Sequence, residues 1–225
     1  MTARKIIFGL IWLSLVSYSV ISSIYGFRTG SFAPVEQDFN EIIKMSTVEW
    51  EGINPIEIAI FYIMGIFPLV YGAFMLFDSK ESQISPYPFF IASFGLGAFA
   101  LLPYFVLRHS HTTPKKKESI LLKTLDSPLT AIVCSISILV LVIWGVVNGD
   151  WSSYLDQWQH SQFIRVMSLD FCTLSLLLPA AILKDDMHRR GIKNSKLFWL
   201  IASIPLFGSL AYWCFRPQLD KLAEA

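Results

Sequence analysis

Long apolar runs decide what this chain can become. Six of them, about Lys5 to Phe27, Pro55 to Phe77, Pro86 to Leu107, Ser127 to Val147, Phe163 to Leu183 and Lys196 to Phe215, together take up more than half of the 225 residues. Each is roughly 20 residues, which at about 1.5 Å rise per residue crosses a hydrocarbon core of roughly 30 Å. The runs predict an all-α, multi-pass integral membrane bundle of six transmembrane helices, with residues 1–225 forming one domain. A chain that is 54% hydrophobic and only 16% charged could not hide its apolar side chains as a water-soluble domain. No connecting segment is long enough to bury a core of its own. The start carries Arg4 and Lys5 ahead of an apolar run, as a signal peptide does. That run is too long for a signal-peptide core and lacks a small-residue cleavage site, so it reads as the first membrane helix.

The net charge of +1 points to no particular partner, and no nucleic acid is expected. Sidedness matters more, because cytoplasmic loops are enriched in Lys and Arg. With six spans, loops 28–54, 108–126 and 184–196 share one face and hold most of the basic residues, among them Arg28, Lys44, Arg108, Lys115, Lys116, Lys117, Arg189 and Arg190. That face is expected to be cytoplasmic or stromal, with both termini opposite; Arg4 and Lys5 pull the other way.

Two loops carry helical patterns of their own. In the first, Phe39, Ile42 and Ile43 recur opposite Asp38, Glu41 and Lys44, the pattern of a short helix on the membrane surface or against the bundle. In the fourth, Trp151, Tyr154 and Trp158 fall on one side of an interfacial helix at headgroup level, with docking of a pigment or lipid as the alternative. Pro114 separates the third span from the basic run Lys115 to Lys117, near His109 and His111. Cys134, Cys172 and Cys214 all lie inside spans and read as small apolar fillers.

Ionisable groups at membrane depth are costly and therefore functional candidates by default. Asp170 lies about seven residues into the fifth span, with Thr173 one turn on and Arg165 toward the surface as its expected helpers. Glu57 stands at the start of the second span, two residues after Pro55, where the helix dipole favours a carboxylate. Two readings stay open for Asp170, a proton or ion relay and a structural carboxylate bonded to a neighbouring helix. Pro68, Pro179 and Pro205 interrupt their helices. Each acid precedes such a proline, and Ile91-Ala92-Ser93 ending at Arg108 rhymes with Ile201-Ala202-Ser203 ending at Arg216. Three spans per half would make the halves an inverted repeat, as in many transporters. The charge-dense segment Lys184 to Arg190 places Asp185, Asp186, His188, Arg189 and Arg190 together. Local salt bridges pinning a helix end explain it, whereas no prenyl-diphosphate, histidine-metal or glycine-rich phosphate motif is present. No catalytic residues, metal ligands or cofactor can be assigned.

Asn54-Pro55 through Gly65, Pro68 and Tyr71 to the run Gly97-Ala98-Phe99-Ala100-Leu101-Leu102-Pro103-Tyr104-Phe105, together with Leu169-Asp170-Phe171 running to Asp185-Asp186-Met187, resembles a group of small polytopic membrane proteins of cyanobacteria and chloroplasts. The resemblance covers about half of the chain and implies a thylakoid or cyanobacterial membrane; it brings no site residues with it. The first functional expectation is a non-enzymatic protein that, besides the lipid bilayer, supports a larger membrane complex or its pigments and lipids. The second is a small transporter or proton or ion pathway using Asp170 and Glu57. The third is an embedded enzyme acting on a lipid or isoprenoid through Asp185, Asp186 and His188.

Overall fold

The computed structural model describes residues 3–30, 32, 34–77, 84–108 and 119–219. Among them the chain forms α1 (Ala3–Thr29), α2 (Val35–Ser46), α3 (Pro55–Met75), α4 (Tyr87–Leu107), α5 (Ile120–Asp126), α6 (Pro128–Asn148), α7 (Trp151–His160), α8 (Gln162–Leu178), α9 (Lys184–Arg189), α10 (Ser195–Ala202) and α11 (Phe207–Phe215), and no strand. A π-helical turn, Pro179–Leu183, joins α8 to α9. The helices begin where local chemistry allows. Asn54, Ser127 and Asp150 each accept a first-turn N–H of α3, α6 and α7, and Pro55 and Pro128 occupy first-turn positions that need no donor.

By length and composition alone four helices, α1, α3, α4 and α6, are apolar enough to cross a membrane, and a fifth is added if α8 and α9 count as one span bent by 43°. This is the build of an integral membrane protein, but it is not six straight spans. The run from Lys196 to Phe215 is divided into α10 and α11, of eight and nine residues, with Leu206 at φ 62 in the break. Each piece is only ~12–14 Å long, too short to cross.

The helix α4 is also broken. Gly97 sits at φ 48 and ψ −125, a conformation open to glycine and hostile to side chains. The rings of Phe89 and Tyr104 lie 5.5 Å apart. Fifteen residues along a straight helix would separate them by ~22 Å, so the chain reverses at Gly97 and residues 87–96 and 98–107 form the two arms of a hairpin. Their outer ends meet the same level of α3: the Phe90 ring closes on Gly72, while Phe105 lies 5.9 Å from the ring of Tyr71. The second broken run folds in the same way. It starts beside α9, turns at Ser203–Leu206 and returns to bury Arg216 against Asp186.

Both hairpins therefore open at one end of the bundle, here termed the arginine end. There α1 begins, with Arg4 on Asp185 and Lys5 on the Leu107 carbonyl; α8 ends there, and α3 ends where Ala73 and Phe74 carbonyls accept from Arg216 and Arg189. At the opposite end Ser22 of α1 meets Gln162 of α8, and Asn54 donates to the Asp150 carbonyl after α6. Arg28 and Lys44 thus lie at the other end from Arg108, Lys184 and Lys193, and the expected sharing of one face by loops 28–54, 108–126 and 184–196 does not hold. His109, His111, Pro114 and Lys115 to Lys117 lie outside the described residues.

The inverted repeat is replaced by a parallel one. A long helix, a short amphipathic helix, a proline-interrupted helix and a hairpin occur as α1, α2, α3 and α4, and again as α6, α7, α8 and α10–α11, in the same orientation. Contacts repeat as well: α1 lies against α8 and the first hairpin, and α6 against α3 and the second hairpin's α11. At the centre, α3 and α8 meet through Phe67 and Phe171 and through the Tyr71 hydroxyl, which donates to the Leu174 carbonyl at 2.7 Å. The two Ile-Ala-Ser sequences fall on the inward sides of the two hairpins, with Ser203 already opening the second turn, and Arg108 and Arg216 end the outward arms.

Candidate functional site at the tip of the first hairpin

Reversal of the chain at Gly97 exposes the first N–H groups of arm 98–107 in the interior, and a buried side chain from the other half of the molecule meets them. Asp170 of α8 is 6% exposed and its Oδ1 accepts the Ala98 N–H at 2.7 Å. A Cβ added to Gly97 would stand 1.9 Å from Asp170 Oδ2, so the backbone approaches the carboxyl group more closely than any side chain would permit. The carboxylate also faces the positive end of a short helix dipole.

Further along this arm Pro103 supplies no N–H for the Phe99 carbonyl one turn earlier. The Trp12 indole of α1 donates to that carbonyl at 3.1 Å. The second hairpin solves the same problem with backbone alone: Pro179 cannot serve the Ser175 carbonyl, and the Leu206 N–H, freed at the break, donates to it at 3.2 Å. These two orphaned carbonyls are thus each served by another element, as burial away from water demands.

A cavity of about 420 Å³ lies beside the first tip, walled by Phe61, Met64, Phe94, Leu96, Phe163 and Met167, with Asp170 and Gly97 at its inner side. Its only acidic lining group among the described residues is Asp170. Tyr62 also lines it, its hydroxyl engaged on the Met45 carbonyl.

The expected helpers of Asp170 are engaged elsewhere. The Thr173 hydroxyl donates to the Leu169 carbonyl, and Arg165 reaches the Trp158 and Gln159 carbonyls and the Ser22 hydroxyl at the end of α1. Glu57 is buried near the start of α3 with Glu41 of α2 as a repelling neighbour, and its Oε1 has no hydrogen-bond partner among the described residues. Of the fourth-loop residues, Tyr154 bonds Ser168 on α8 at 2.6 Å, Trp158 lies under the Arg165 guanidinium, and the His160 ring meets the Asp156 carbonyl.

The charge-dense segment at the arginine end is pulled in two directions. Asp185 accepts from Arg108 at 2.6 Å and from Arg4 at 3.4 Å. Asp186 accepts from Arg190, Arg216 and Tyr212, with Arg189 3.7 Å away, and Asp126 of α5 accepts from Arg190 and Arg216. His188 is exposed, so Asp185, Asp186 and His188 do not converge on one site. Sequence reasoning missed Asp126 and the burial of Arg108 and Arg216. The signal for the arginines was the rhyme itself, each guanidinium closing an apolar run of similar sequence.

The fold and this interior define an α-helical membrane protein with two hairpins that dip in from one end. Comparison with protein-family models, curated proteins and solved structures found no match.

Proposed function

We propose that this chain is a small membrane transport protein that carries a proton or a small cation on the Asp170 carboxyl group, reached through the cavity beside the first hairpin. The observation that supports this most is the meeting of a buried acid with a reversed helix tip beside a cavity that no other acid among the described residues lines. Irregular backbone at membrane depth is tolerated where it lines a cavity, and ionisable groups there mark pathways. Interrupted helices whose ends face the solute are a recurring transporter device. Glu57, buried where α3 begins and outside the lining of this cavity, is the second acid we assign to the pathway.

Charge supports an orientation. Arg4, Lys5, Arg108, Lys123, Lys184, Arg189, Arg190, Lys193, Lys196 and Arg216 gather at the arginine end, against Arg28, Lys44 and Arg165 at the other. We therefore place the arginine end in the cytoplasm or stroma. A thylakoid or cyanobacterial membrane rests on the resemblance alone.

Liposomes containing the purified protein, a trapped pH-sensitive dye and an imposed potential test the reading. Wild-type protein conducts protons or, with a cation gradient, exchanges them; Asp170→Asn falls to the rate of empty liposomes. Unchanged flux in a well-folded Asp170→Asn protein contradicts the proposal. The alternative of a supporting subunit draws on one observation: only 17% of the α1 span and 22% of the α6 span are buried, leaving two apolar faces for lipid or a partner. Recovery of a larger assembly from native membranes would favour it.

A further inference from the structure

The segment from Lys184 to Ser195 sorts its charges by direction. Asp185 turns toward Arg108, and Asp186, Arg189 and Arg190 turn into the buried cluster. Lys184, His188 and Lys193 are left exposed. Lys184 and His188 stand four residues apart on α9 and so share a face. With Lys193, Asn194 and Ser195 they line a pocket of about 210 Å³ whose apolar wall includes Phe198 and Trp199. Among the described residues, no acidic side chain lines it. The first turn of α10 opens at the same place, with Asn194 capping it through the Leu197 N–H at 3.1 Å, and adds the positive end of a helix. Beyond this rim Trp199 is 68% and Leu200 62% exposed, an apolar surface continuous with the pocket wall.

We propose that this pocket binds the phosphate of an anionic lipid headgroup, held by Lys184, Lys193, His188 and the Ser195 hydroxyl, with the acyl chains along Trp199 and Leu200. A free phosphate would satisfy the cations but leave that apolar flank without a role; a lipid uses both. Basic pockets at the ends of membrane helices take lipid headgroups by this combination of charge and apolar contact. The site lies at the opening of the second hairpin and is independent of Asp170.

Native mass spectrometry of the detergent-solubilised full chain, titrated with phosphatidylglycerol or phosphatidylcholine, tests it. The wild type binds phosphatidylglycerol more tightly. Each lysine removed weakens it about fivefold, so Lys184→Gln/Lys193→Gln binds ~25-fold less tightly, while Lys44→Gln at the opposite end binds as wild type. These side chains are exposed, and an unchanged melting temperature separates lost binding from lost folding. Equal affinity for the two lipids, or wild-type binding by the double variant, overturns the proposal. Displacement of phosphatidylglycerol by an equal concentration of inorganic phosphate assigns a soluble anion instead, and overturns it as well.

Discussion

Gly97 and Asp170 are a matched pair. The residue that reverses the chain leaves a backbone donor unpaired, and the acid that accepts it needs the space that a missing Cβ provides. Gly97→Ala breaks both conditions, since alanine at φ 48 is strained and its Cβ would strike the carboxyl group. We expect a loss of at least ~2–3 kcal/mol, seen as a large fall in melting temperature, whereas Gly95→Ala, with open space around its Cβ position, is mild. Asp170 was readable as the one acid deep in an apolar run. Gly97 was not, because one glycine in such a run is as compatible with a straight helix as with a turn. A second acid carries a pH signature outside the spans. Burial pushes the Glu41 carboxyl above its ordinary range, and Asp38 adds to this, outweighing the Gln37 hydrogen bond and Lys44. The native state therefore holds that proton more tightly than the unfolded chain, and its stabilising effect is lost as pH rises through the raised value. Glu41→Gln should leave stability unchanged in acid and raise it near neutral pH, in thermal melts across the carboxyl range.

Pro103 and Pro179 mark places where one helix is completed by another. Pro103 and Trp12 meet at a single acceptor, the Phe99 carbonyl. Trp12→Phe leaves that carbonyl without its donor and costs about 1–3 kcal/mol. In a Pro103→Ala background the restored N–H serves the carbonyl, so the same change costs measurably less. Equal costs in both backgrounds, by chemical denaturation, would contradict this pairing. Hairpins were hidden from the sequence for a geometric reason: two apolar arms of about ten residues have the length and composition of one spanning helix. The run from Lys196 to Phe215 did carry a warning in Pro205, read only as a kink; the structure makes it part of a complete turn. By contrast α2 and α7 were legible, because helical spacing of aromatic and aliphatic residues among acids leaves few alternatives to a surface helix.

Across the whole molecule, two parallel halves put four termini of hairpin arms and the buried arginine cluster at one end, and Glu57, α2 and α7 at the other. The acids Asp126, Asp185 and Asp186 compensate arginines that would otherwise be buried at heavy cost. They anchor the outer arms, and so hold the first tip against Asp170. The sequence rhyme pointed to duplication, but orientation depends on the number of true crossings. Counting each hairpin as a crossing inverts one half and misplaces the loops.

Everything about the site depends on α4 being folded at Gly97. Spin labels at Ser85→Cys and Leu107→Cys, with Cys134, Cys172 and Cys214 replaced by alanine, measure this by pulsed electron resonance in lipid. A hairpin predicts a separation of ~10–20 Å, about one to two helix diameters; an unbroken helix over Tyr87–Leu107 predicts ~30 Å or more and would contradict the account.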